Sequence, residues 1–447
     1  MASAKLRGPE EWDEWTDWLS AGLHGRNSWR LGVLLAGVLF AQGRRTVSTW
    51  LRAAGVSPDY VDYYYFLAGV GRKAKLVSWR LLSLVLQRVP LPERVLLLLD
   101  DSPTKRYGPK VEGADIHHNP TPGPADQEFL YGHVWVTLSL AVRHPIWGAL
   151  ALPLRAMLYV RQRTLDSIPR RRGWTFRTKL ELAAKLLQWV APPLKAAGKK
   201  VWIAADGAYA KRPFLQAALR EGMTVVSRLR KDAHLRTLPP AADRGPKRRG
   251  RPRKYGKARI DLAKRAGQKR GWRTTTCTLY GETVEKTYKT FLAAYPPAGG
   301  IIRVVLVMEK DGCWAAFFCT DPNATVEDIL EAFADRATIE QNFHDLKEVW
   351  GTGQQQVRNI WTNVGVFHLN LWMHTLVELW AWRLPHDALC DRSDSPWDDP
   401  ARRPSHANRR KALRHQFLEN ELTAIARRWA IPTKILALTR WLAKLAA

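Results

Sequence analysis

The chain has 447 residues, long enough for a sizeable core and for two or three domains. Its 70 basic and 41 acidic residues leave a formal charge of +29, which favours a polyanionic partner. The longest apolar run near the start, Leu31 to Phe40, is about half of what a membrane span needs, so nucleic acid in the cytosol is the expected partner and a membrane is not.

Residues 1 to about 90 read as helices. Trp12, Trp15, Trp18 and Leu19 mark a first amphipathic segment, and Trp29 to Gln42 a second, more apolar one. Arg44 and Arg45 then precede a short helix that ends at Gly55, a pattern similar to a helix-turn-helix and equally compatible with a plain helical hairpin. Val95 to Asp101 is apolar up to two terminal acids, as in a strand buried on both faces. Tyr131 to Arg143 and Gly148 to Tyr159 read as two more strands. A helix over Thr178 to Val190 leads to a buried strand, Lys200 to Asp206, again ending in an acid. Lys211 to Glu221 is helical and Thr224 to Arg228 a fifth strand.

From about Asp232 the pattern changes. Arg244 to Arg273 holds fourteen Lys or Arg and one acid, Asp261. Four β segments follow: Arg273 to Tyr280, Thr283 to Ala293, Ile301 to Met308 and Cys313 to Thr320. Cys277, Cys313, Cys319 and Cys390 contain no Cys-x-x-Cys pair, so neither a zinc site nor a disulfide framework is expected. Thr325 to Trp350 reads as one helix, with Thr325 and Asp328 placed like a capping box and Gly351 as the stop. Val364 to Trp382 is an apolar helix, Pro385 to Pro404 a polar linker, and Lys411 to Ala447 two basic helices.

On the Thr325–Trp350 helix, Ile329, Phe333, Arg336, Glu340, Phe343 and Lys347 share one stripe. Such a stripe is ordinarily apolar. Either Arg336 and Glu340 form a simple i,i+4 ion pair at a core edge, or Glu340 points into a site that holds metal and phosphate. The order of elements separates the two readings. Three strands, helix, strand, helix, strand, insertion and helix is the order of the ribonuclease-H-like nuclease fold: a mixed α/β sheet flanked by helices, here with a helical N-terminal domain and a β-rich insertion. Its acids belong at the ends of the first and fourth strands and on the late helix, where this chain has Asp100/Asp101, Asp206 and Glu340. Three carboxylates suit two hard cations held on either side of a phosphodiester.

The chain resembles a DDE transposase of a bacterial insertion sequence, of the group with a β-rich insertion and a Tyr-x-x-Arg-x-x-x-Glu-x-x-x-x-x-x-Lys signature. Phe333, Arg336, Glu340 and Lys347 meet that spacing, with Phe333 replacing the tyrosine. The first acid of such enzymes is followed by a hydroxyl residue, which favours Asp101, before Ser102, over the alternate Asp100. The second sits in Asp-x-x-Tyr, matched by Asp206 and Tyr209. The resemblance implies that Asp101, Asp206 and Glu340 bind two Mg²⁺ (or Mn²⁺) ions, that Arg336 and Lys347 hold phosphates, and that transposon ends are cut and joined to target DNA through a 3′-OH. It implies double-stranded DNA as partner, a homodimer in the DNA complex, and a nucleoid-associated cytoplasmic protein.

The resulting domain plan has a helical DNA-binding domain over 1–90, the first part of the catalytic core over 91–231 and the basic linker with insertion over 232–322. The Glu helix and its successor fill 323–384, and a linker with C-terminal helices 385–447. Arg44, Arg45 and Lys105, with Arg106 and Lys110, are candidate phosphate contacts. Arg249, Arg251 and Arg253 sit in a run resembling an AT-hook, and as readily in a loose basic linker. His117-His118 is read as loop or DNA contact, and Trp350 and Trp361 as core. Two other functions use the same residues: a domesticated copy that binds DNA without cutting it, and a repair or resolving nuclease of the same fold.

Overall fold

The computed structural model describes residues 8–119, 127–239, 254–309, 312–392, 395, 397–429, 435, 436 and 439. Four helices come first: α1 (Glu10–Ser20), α2 (Arg30–Phe40), α3 (Val47–Ala53) and α4 (Tyr60–Arg88). Thr46 caps α3 by accepting from the Thr49 amide. The strands β1 (Arg94–Lys105), β2 (Asp115–His118), β3 (Phe129–His144) and β4 (Gly148–Tyr159) follow, then α5 (Lys179–Ala196), β5 (Lys200–Ala205), α6 (Arg212–Arg220) and β6 (Thr224–Leu229). A reciprocal Thr178–Glu181 capping box starts α5. This helix runs on past Pro192 and Pro193, beyond its expected end, and buries Leu194 completely.

β1 pairs parallel with β5, and β5 with β6, while β3 runs antiparallel to β1. The strands β4-β3-β1-β5-β6 thus lie side by side in the ribonuclease-H-like arrangement. β2 is an addition to what the sequence suggests. Asp115 to His118 pairs with the start of β3, so the two histidines lie on an edge strand and not in a loop.

The region after β6 holds β7 (Leu235–Arg236), β8 (Arg259–Ile260), α7 (Leu262–Gly267), β9 (Arg273–Leu279), β10 (Glu282–Tyr295), β11 (Gly300–Met308) and β12 (Trp314–Cys319). It prolongs the same sheet. β12 pairs antiparallel with β6, and β11, β10, β7 and β8 continue outward, giving a 12-stranded sheet. The chain closes with α8 (Val326–Asp335), α9 (Thr338–Glu348), α10 (Ile360–Ala381), α11 (His386–Leu389) and α12 (His406–Trp429). The second of the two expected C-terminal helices falls mostly outside the described residues.

The two faces of the central strands meet different partners, as strand alternation requires. Leu97, Leu99, Ile203 and Ala205 join the cluster that holds Leu182 and Leu186 of α5 and Phe214 of α6. Leu98 and Ala204 point the other way and cluster with Ile339 of α9, while Trp202 and Val226 meet Ile329 and Leu330 of α8. The helices α1–α4 share the first cluster with α10, whose residues are buried almost throughout. α4 and α10 cross where Gly71 and Gly365 face each other's backbone. No helix among the described residues is long and apolar enough to cross a membrane. Cys277, Cys313, Cys319 and Cys390 are free.

Candidate active site

The helix expected over Thr325–Trp350 is two helices. At its middle, the amides of Arg336, Ala337, Ile339 and Glu340 bond three residues back, to Phe333, Ala334, Arg336 and Ala337. That tightening ends α8 at Asp335 and restarts the chain as α9. The Arg336 side chain is drawn toward the sheet, where Nη1 donates to Asp100 Oδ2 at 2.7 Å and Nη2 to Glu340 Oε1 at 3.0 Å. The first reading of the stripe is therefore realised: Arg336 and Glu340 do pair, and the same guanidinium also reaches Asp100, midway along β1. Phe333 packs on Phe317 at 4.8 Å, and Phe343 lies against the Ile339 cluster.

β1 runs on to Lys105, past the end expected at Asp101, so its two acids lie midway along it, where the pairing with β5 stops, and point to opposite faces. Asp100 continues the Leu98 side, toward α9. Asp206, one residue beyond β5 in extended conformation, continues the Ala204 side and faces the same way. Its carboxylate accepts from the Ala208 amide and caps the short turn Gly207–Tyr209. Asp101 lies on the α5 side instead. Its Oδ2 is 2.6 Å from Lys179 Nζ, and its Oδ1 accepts from the Tyr209 hydroxyl at 2.7 Å. Sequence reading, which favoured Asp101 for its neighbour Ser102, did not use this alternation. Lys179 went unnoticed because it lies 78 residues from its partner and carries no motif.

The electrostatics match the geometry. Burial raises the Asp100 pKa to about 6; Arg336 works against that rise, and Asp101 and Asp206 add to it. An ionised Asp100 therefore calls for a nearby cation, and Arg336 supplies one. Burial also lifts the Tyr209 hydroxyl well above its usual range, helped by Asp101, Asp100 and Asp206, so it remains a donor to Asp101. Glu340 is the open member, its side chain 61% exposed. Asp100, Asp206 and Glu340 offer hard carboxylate oxygens from three elements on one sheet face, a donor set that fits Mg²⁺ or Mn²⁺.

Among the described residues, Asp345, His374 and His406 form the one group whose ligand atoms all lie within 4.8 Å of one another; the Asp100, Asp206 and Glu340 carboxylates do not come that close together. Its hydrogen bonds mark it as structural. His406 Nε2 takes the indole N–H of Trp350 at 2.8 Å and its Nδ1 lies 2.5 Å from Glu378, so both ring nitrogens are engaged.

The remaining candidates are scattered. Lys347 is half-buried on α9 and Lys105 exposed at the end of β1. Arg44 is exposed and lies over the Tyr107 ring at 5.5 Å. Arg45 is half-buried; its amide donates to Gln354 and its carbonyl accepts from Gln355. Arg106 is no phosphate contact, because it is 4% exposed and donates to the carbonyls of Gly353 and Gln355. His117 is buried, with burial and the nearby Arg161 lowering its pKa to about 4. Trp350 is fully buried, and Trp361 donates to the Arg172 carbonyl. Arg249, Arg251 and Arg253 lie outside the described residues.

Residues 19–286 match the model of the DDE superfamily endonucleases, more than half of the chain. The chain belongs to that family. The match ends before α8 and α9, so Arg336 and Glu340 of this endonuclease lie beyond it. No curated protein matches the endonuclease. Among solved structures it is similar to the piggyBac transposase in its synaptic complex with hairpin DNA, at 10% identity and a TM-score of 0.44, over 99% of this chain and 78% of that one.

Proposed function

We propose that this endonuclease is a DNA transposase that cuts double-stranded DNA at the ends of its element and joins the freed 3′-OH to target DNA. The observation that carries the reading is the common sheet face of Asp100 and Asp206, tied through Arg336 to Glu340, in a chain of the DDE family. On this reading Asp100, Asp206 and Glu340 would hold the divalent ions, and Asp100 replaces Asp101 as the first acid. Bound there, the ions would activate the attacking oxygen and stabilise the leaving one.

The chain's own groups do the rest. Arg336 neutralises Asp100 and Glu340 in the free protein, and its planar fork suits a phosphate as well as it suits two carboxylates. Lys347, two turns along α9 from Glu340, would contact the DNA backbone. Asp101, locked between Lys179 and Tyr209, is a positioning residue that fixes the middle of β1 beside Asp100. The helices α1–α4, with Arg44 and Arg45, would contribute to recognising the element's ends. Incubating the protein with Mg²⁺ and duplexes carrying the element's termini tests the reading. Strand cleavage that is lost in Asp100→Asn, Asp206→Asn and Glu340→Gln, with DNA binding retained, is the expected result. Wild-type protein that binds the termini without cutting them would favour the domesticated copy. Cutting indifferent to terminal sequence would favour the nuclease.

A further inference from the structure

The segment joining β4 to α5 carries charge that neither the candidate site nor the helical region accounts for. Residues 160–178 include six arginines and one acid, Asp166. We infer that this segment is a docking surface for the phosphates of duplex DNA entering the site, an inference that rests on the functional reading above.

Topology puts it at the right place. β4 and β1 both run antiparallel to β3, so they end on the same edge of the sheet, the edge beyond the acids of β1 and β5. The link is also direct, since Lys179, the first residue of α5 after the segment, is the residue paired with Asp101.

The segment is held in shape by some of its charges, and the others face outward. Arg163 forks onto Asp115 with bonds of 2.9 and 2.7 Å, Arg172 grips Glu112 at 2.9 Å, and Trp361 Nε1 donates to the Arg172 carbonyl at 2.9 Å. Arg170 and Arg171 are exposed on the turn between these anchors and pair with no acid among the described residues. A fixed turn that presents two guanidinium groups loses little conformational entropy on binding a polyanion. The aromatic rings here do not offer a stacking platform: Trp174 is half-buried and packs edge-on against Trp361 at 5.1 Å. Single strands are usually gripped by exposed rings, whereas a duplex is held through its phosphates. The chemistry favours the duplex backbone.

The test is the salt dependence of binding to a fluorescently labelled element-end duplex for wild type, R170Q/R171Q and R170K/R171K. Each lost phosphate contact lowers the slope of log K against log salt by about 0.9, so R170Q/R171Q should lower it by roughly 2. Affinity at low salt should fall about tenfold or more, and R170K/R171K should keep most of the slope. A glutamine variant that unfolds at the wild-type temperature and binds like wild type overturns the surface alone. A loss confined to a single-stranded oligonucleotide overturns the assignment to duplex. Wild-type protein that binds no duplex overturns the functional reading, and this surface with it.

Discussion

Asp100 and Arg336, 236 residues apart in sequence, meet in a 2.7 Å ion pair that joins the central strand to the break between α8 and α9. The pair is mostly shielded, its side chains 20% and 14% exposed. It seats the helix break over the acidic middle of β1.

Which of the two adjacent acids works in catalysis can be decided by paired substitution. Asp100→Asn should abolish metal-dependent cleavage, because a carboxylate facing Asp206 and α9 is lost. With Asp100 in the metal-holding role proposed above, its loss should cost several kcal/mol of transition-state stabilisation, on the order of a thousandfold in rate. Asp101→Asn, which weakens only the contacts to Lys179 and Tyr209, should cost about tenfold or less. Single-turnover cleavage rates check it, and equal losses would contradict the division of faces.

Arg336→Ala should separate the counter-ion role from the catalytic one. Without the guanidinium, Asp100 and Glu340 repel each other more strongly. The chain should lose roughly 1–3 kcal/mol of stability, between the values of exposed and fully buried pairs. Mn²⁺ should then bind more tightly, since no resident cation competes for the carboxylates, while cleavage falls. Calorimetric Mn²⁺ titration and denaturant unfolding of the metal-free protein measure the two effects.

The crossing of α4 and α10 should tolerate no side chain. A Cβ on Gly71 would sit 1.9 Å from the Trp361 carbonyl oxygen, a backbone atom with no room to yield. Gly71→Ala should destabilise by about 3 kcal/mol or more. Gly69→Ala, two residues away and with nothing within 4 Å, should stabilise by up to about 1 kcal/mol through helix propensity. Thermal unfolding of the two variants gives the comparison.

Glu378 should make the attachment of α12 sensitive to acid. Burial pushes its carboxyl up, but Arg409, His406 and His374 outweigh that and bring it down to about 2. The folded pKa is lower than the ordinary 4.5, so the stability it contributes is complete above about pH 4.5 and is lost as pH falls through about 2. Glu378→Gln should cost about 3–5 kcal/mol at neutral pH by leaving Arg409 buried without a charge partner. The gap between wild type and variant should narrow below pH 4.5 in urea unfolding series.

The central strands and most helices were legible because their apolar patterns are long and uninterrupted: Val95 to Leu99 and Val201 to Ala205 could hardly be anything but buried strands. β2 escaped because four residues, two of them histidines, carry no strand signature without the partner β3. The break at Arg336–Ala337 escaped as well, since both residues keep helical angles and only the hydrogen-bond spacing changes. At the candidate site, spacing singled out Asp206, Arg336 and Glu340, of which the structure pairs Arg336 with Glu340 and with Asp100. The choice between Asp100 and Asp101 depends on which face each occupies, and two neighbouring acids at a strand end look alike until the register is fixed.

The pairing of β12 with β6 also bears on how the enzyme can be cut down. An inserted unit that stood apart could be excised and its ends rejoined. Here excision would strip Val226–Leu229 of β6 of their Ala316–Cys319 partners and leave a bare strand edge open to stray pairing with other chains. Shortened versions of this enzyme should therefore precipitate before they fail to cut, unless β12 is kept as a cover strand.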